Sequence, residues 1–229
     1  MKIVKTYAYQ LSEKTLEKDI DKFIRDAKKG AYQFDYKYGQ EGLKTIKAYF
    51  RMIEEEFKKQ NYAVARICYK KLMFLLLQIE YNYFDYEDIV GKLNFEKFLT
   101  NYFICLIKLC SIEELFREYS EYLKIKEEYY FESVHKTLFT NLSEDDLKHL
   151  TTLVEREAEN VKEKDYALHD YIYFLLDLAK FRNDRNTYNQ LCEKYKKVVG
   201  DEQKDAFDER RLTQPLLTRL KSLLIKREK

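Results

Sequence analysis

The chain has 229 residues and carries 42 lysines and arginines against 40 aspartates and glutamates, a formal net charge of +2. That length serves one domain of above-average size or two small ones, with an ample core that needs no disulfide or metal. Balanced charge excludes a partner captured by overall field, and 5 glycines with 1 proline exclude a sheet-rich fold built on many tight hairpins.

Leu, Lys, Glu and Ile favour helix, whereas 21 tyrosines and 15 phenylalanines lean towards strand. Periodicity decides for helix wherever it is clear. The absence of Trp and the excess of Lys over Arg point to a biased base composition, and the tyrosines are discounted for the same reason. Cys68, Cys105, Cys110 and Cys192 form no CxxC pair and sit in apolar stretches, as buried thiols do. MKIVKTYAYQ has no apolar run of signal-peptide length, which predicts a soluble, cytoplasmic protein.

In chain order, residues 1–11 read as a short strand or an extended arm. Ser12 is placed to cap a helix through Lys29, with Leu16, Ile20, Phe23, Ile24 and Ala27 on one face. Gly30 ends it in left-handed conformation. The aromatic stretch AYQFDYKYGQEG comes next as an ordered, exposed loop. Leu43, Ile46, Phe50, Ile53 and Phe57 then mark a helix from Glu41 to Lys59. Asn61 caps the central segment, Asn61 to Tyr83, after so short a link that the two helices must be antiparallel neighbours. Leu72 to Leu77 are apolar without interruption, so this helix must be enclosed by other helices or by lipid. Lys70 and Lys71 interrupt the run, and the apolar stretch beyond Lys71 is far short of the roughly 20 residues a bilayer needs.

Tyr83 to Leu93 reads as an irregular connection. Asn94 caps a helix carrying Phe95, Phe98, Leu99, Tyr102, Phe103, Leu106 and Leu109. Ser111 and Glu114 form a capping box for the next, which shows Ile112, Leu115, Phe116, Tyr119 and Leu123. Residues 126–140 predict an aromatic helix. Ser143 and Asp146 cap another that ends near Val161, Asp165 opens a third very apolar one, and TYNQLCEKYKKVV closes at Gly200. The tail predicts a charged helix from Asp201 and a last helix begun by Pro215.

Val64, Ile67 and Cys68 correspond to Ile112, Leu115 and Phe116, and again to Tyr188, Leu191 and Cys192, at spacings of 48 and 76 residues. FKKQNYAVARICYKKL resembles the hinge of a tetratricopeptide-type helical hairpin, Ala65 and Tyr69 falling at that family's small and aromatic positions. Ile53 and Leu72 occupy two other small positions, and no proline closes the unit. The resemblance implies stacked helical hairpins and names no ligand.

Glu132 with His135, and Asp146 with His149, have the i, i+3 spacing by which helical bundles present metal ligands. Such a site needs carboxylates from two further helices and none is singled out, while Asp146 is accounted for by its cap. The reading is no metal, no cofactor and no catalytic residue, these four being where a metal site would show. His169, Tyr173, Asp177 and Lys180 form a polar stripe on an apolar helix, read as its solvent side, with a pocket lining as the alternative. No phosphate-binding glycine loop exists, and no arginine precedes a histidine at ribonuclease spacing.

The C-terminal stretch from Arg210 holds seven cations against one anion. Its leucines form a stripe, with Arg219, Lys221, Lys226 and Arg227 mostly off it. A capping helix closing the hydrophobic end is preferred over binding to nucleic-acid phosphate or to an anionic membrane surface.

Together these predict a single all-α domain over residues 1–229. It comprises nine to eleven helices in irregular antiparallel hairpins stacked as a short α-solenoid, with residues 201–229 as basic capping helices. The leading function is a non-catalytic scaffold or adaptor for another protein or a peptide. Tyr32, Tyr36 and Tyr38, the stripe on His169, Tyr173 and Asp177, and the four C-terminal cations are its candidate surfaces. Nucleic-acid binding through the basic C-terminal helix comes second and a metal-dependent helical enzyme third. A homo-oligomer is compatible with the apolar excess.

Overall fold

Six consecutive apolar side chains, Leu72 to Leu77, can be hidden only by neighbours on every side. In the computed structural model of the protein all six are buried. Placement is described for residues 15–33, 41–77, 83–84, 90–126, 131–161, 166–199 and 207. Among them stand α1 (Leu16–Lys28), α2 (Glu41–Lys58), α3 (Tyr62–Leu77), α4 (Phe95–Leu109), α5 (Ile112–Ile125), α6 (Glu132–Asn141), α7 (Glu144–Asn160), α8 (Tyr166–Phe181), α9 (Arg185–Lys194) and α10 (Lys196–Val199). No strand occurs among the described residues, and the fold is all-α. Where the sequence predicts one domain, contacts gather into two compact units, Met1–Asp146 and Leu147–Lys229. No helix of the described residues is long and apolar enough to cross a membrane.

In the first unit α3 packs on α1, α2 and α4, and α4 carries α6. Most of the predicted faces are buried, Leu16, Ile20, Phe23 and Ala27 of α1 and Leu43, Ile46, Phe50 and Ile53 of α2, while Ile24 and Phe57 are half-buried. Phe50 lies flat on Phe98, with centroids 3.9 Å apart and planes 6° off parallel. Burying one such side chain stabilises by about 1.5–3 kcal/mol relative to leaving it in water. Leu109, named with the apolar residues of α4, is instead 45% exposed at the last position of the helix, although Leu106 in the same turn is buried.

The helix ends are locally encoded. Gly30, at φ 84°, closes α1 in a Schellman motif, with Ala31 N–H donating to Asp26 O and Gly30 N–H to Ala27 O. The α2–α3 link repeats this geometry with Gln60 at φ 62°, a left-handed conformation that costs a side-chain-bearing residue energy. Asn61 precedes α3, and its side-chain amide donates back to Glu56 Oε2 at 2.8 Å. The box at Ser111 is complete: Glu114 N–H donates to Ser111 Oγ and Ser111 N–H to Glu114 Oε2, both at 3.3 Å. Two boundaries differ from expectation. Thr15, not Ser12, caps α1, accepting from Lys18 N–H at 3.3 Å. The aromatic helix begins at Glu132, because Phe131 is extended.

Three buried or half-buried polar clusters of this unit are paired, whereas Ser133 Oγ is buried without a hydrogen-bond partner among the described residues. Asp19, 1% exposed on the core face of α1, accepts from the Tyr49 hydroxyl at 3.1 Å. Asn101 donates to Tyr69 Oη at 3.0 Å. Lys71 of α3 reaches Glu17 at 2.8 Å and Asp21 at 2.7 Å on α1.

In the second unit α9 packs on α8 and α10. Leu168, Ile172, Phe174, Leu175, Leu176 and Ala179 of α8 are buried, as its composition demands. Asn183, at φ 57°, ends α8 with the same Schellman bonding, Asp184 N–H donating to Ala179 O. Asp184 then caps α9, accepting from Thr187 N–H at 3.0 Å. At the end of the first unit, Ser143 caps α7 as predicted, its hydroxyl accepting from Asp146 N–H. The expected run to Gly200 breaks at Tyr195 into α9 and α10.

Aligned on the residues before their helices, Asn61, Ser111 and Asp184, the buried equivalents are Ala65, Leu115 and Tyr188, then Tyr69, Tyr119 and Cys192. That register differs from the sequence correspondence, which paired the buried Leu115 with Ile67, a residue 39% exposed.

Candidate functional site

The predicted site residues fall in several places. His135 is buried, with Nε2 2.8 Å from the Tyr119 hydroxyl, whereas Glu132 is exposed. Asp146 accepts from the Ser143 hydroxyl at 2.7 Å, and His149 is exposed. No group of three or more His, Cys, Asp or Glu among the described residues could hold a metal ion. Tyr32 is half-buried, its ring 4.9 Å from Phe23 and 5.8 Å from Phe84. Its aromatic neighbours therefore claim much of the face expected to be open. His169, Tyr173, Asp177 and Lys180 are all half-buried, and Lys180 Nζ lies 5.2 Å from the centre of the Tyr188 ring. Tyr36, Tyr38, Arg219, Lys221, Lys226 and Arg227, with the arm 1–11 and the segment 210–229, lie outside the described residues.

The structure assembles a different constellation between α3 and α5. Arg66 and Lys70 stand one turn apart on α3, and Glu114, Glu118 and Glu121 recur along one face of α5, so facing rows of opposite charge meet. Glu118 is central, its side chain only 13% exposed. Its Oε1 accepts from Arg66 Nη2 at 2.8 Å. Its Oε2 accepts from the Tyr102 hydroxyl at 2.6 Å and lies 2.8 Å from Lys70 Nζ. Lys70 also donates to Glu121 Oε2 at 2.6 Å. Above them lies an open groove of about 340 Å³, lined by Arg66, Glu114, Arg117, Glu118 and Glu121.

Burial pushes the Glu118 carboxyl up, but the hydrogen bonds from Lys70, Tyr102 and Arg66 outweigh it and hold it below its ordinary value. Burial likewise disfavours the Arg66 and Lys70 cations, but Glu118, joined at Lys70 by Glu121, outweighs it and raises their pKa values. Tyr102 is raised by burial and by the adjacent carboxylate, so it stays a hydrogen-bond donor. A carboxylate with three donors and a lowered pKa is poorly suited to hold or take a proton near neutrality. Burial also pushes the thiols of Cys68 and Cys105 up to about 12, removing the thiolate that nucleophilic chemistry needs. The arrangement is equipped to recognise charge.

Sequence reasoning passed over this groove. Its signal was present as Arg66 and Lys70 on a largely apolar helix, with carboxylates at 114, 118 and 121. Pairing the two rows requires knowing that α3 and α5 are neighbours. No family model, no curated protein and no solved structure matches this chain.

Proposed function

We propose that the protein is a non-catalytic helical scaffold that binds a peptide or a segment of another protein, and that the α3–α5 groove is where the segment docks. The groove itself carries this reading: about 340 Å³, open to solvent and walled by charged side chains of both signs. That size, at the small end of ligand sites, suits a short stretch of chain. Its floor is pre-organised, since Glu118 is locked by Arg66, Lys70 and Tyr102, which limits the ordering cost of binding. The likeness of residues 57–72 to a tetratricopeptide hairpin supports the same reading at the level of architecture.

Selection from a random peptide display library, with titration of the enriched peptide, tests it. Binding should be lost in the charge-reversed pair Arg117→Glu with Glu121→Lys. Failure to enrich any peptide, with salt-sensitive binding of single-stranded oligonucleotide instead, would move the function to nucleic acid.

A further inference from the structure

We draw no further inference here: the strongest candidate, the surface patch on α3 where Ile67 stays 39% exposed one turn from Lys70 and Lys71, is apolar surface, and nothing among the described residues shows what covers it.

Discussion

Glu118→Gln removes the charge at the centre of the α3–α5 network with little change of shape. Glutamine offers one acceptor oxygen where Glu118 offered two, and its amide nitrogen must face a donor. Of the three contacts, at 2.8 Å to Arg66, 2.8 Å to Lys70 and 2.6 Å to Tyr102, at least one is lost outright and the others lose their charge assistance. Hydrogen bonds to charged groups contribute about 1.5–3 kcal/mol each. Lys70 keeps Glu121 at 2.6 Å, and Arg66 is exposed enough to be rehydrated in part. The expected cost at pH 7 is therefore about 2–3 kcal/mol, a large share of an ordinary stability of about 5–15 kcal/mol. The pH dependence fixes the cause. Glu118 is held below its ordinary value in the folded chain, so its contribution is present above the unfolded pKa of about 4.3. It is lost as pH falls through the lower folded value. The gap between wild type and variant should shrink on going from pH 7 to pH 3. Urea unfolding monitored by far-UV circular dichroism gives the gap, and hydrogen exchange over residues 62–77 and 112–125 locates it. A gap below about 0.5 kcal/mol at pH 7, within the range of ordinary surface substitutions, or one independent of pH, would refute the network as a stabilising unit.

Local geometry predicts three further outcomes. Gln60→Gly relieves the left-handed backbone at φ 62° and should raise stability by about 0.5–1 kcal/mol, whereas Gln60→Val should lower it; thermal melts distinguish the two. Tyr119→Phe leaves the buried His135 without its 2.8 Å partner and should cost about 1–3 kcal/mol by urea titration. In native protein at pH 8, a thiol reagent should modify the half-buried Cys110 first. Cys68 and Cys105, with pKa values pushed up to about 12 by burial, should react only after denaturant is added; their prompt labelling would contradict the packing of α3 and α4.

Much of the fold was legible in the chain because its signals act over a few residues. Gly30, Ser111 with Glu114, and Ser143 with Asp146 mark helix ends through bonds that span one turn. The apolar spacing of α1, α2 and α4 named their buried faces, and the all-round apolarity of Leu72 to Leu77 required enclosure. Legibility ended where a side chain's fate depends on a distant one. Asp19 has the pattern of a surface acid, yet it is buried because Tyr49, 30 positions on, supplies its hydrogen bond. Gln60 carries no sign of left-handed backbone, since the three-residue link from α2 to α3 imposes it.

Helix type, helix ends and core faces are properties of short stretches, and hydrophobic period with capping chemistry encodes them without reference to the rest of the molecule. The groove is a property of two stretches. Arg66 and Glu118 lie 52 positions apart, and nothing local to either tells a solvated charge from a member of a pair. That difference appears only when packing withdraws Glu118 from water, for a carboxylate left with little solvent must find its donors in the protein.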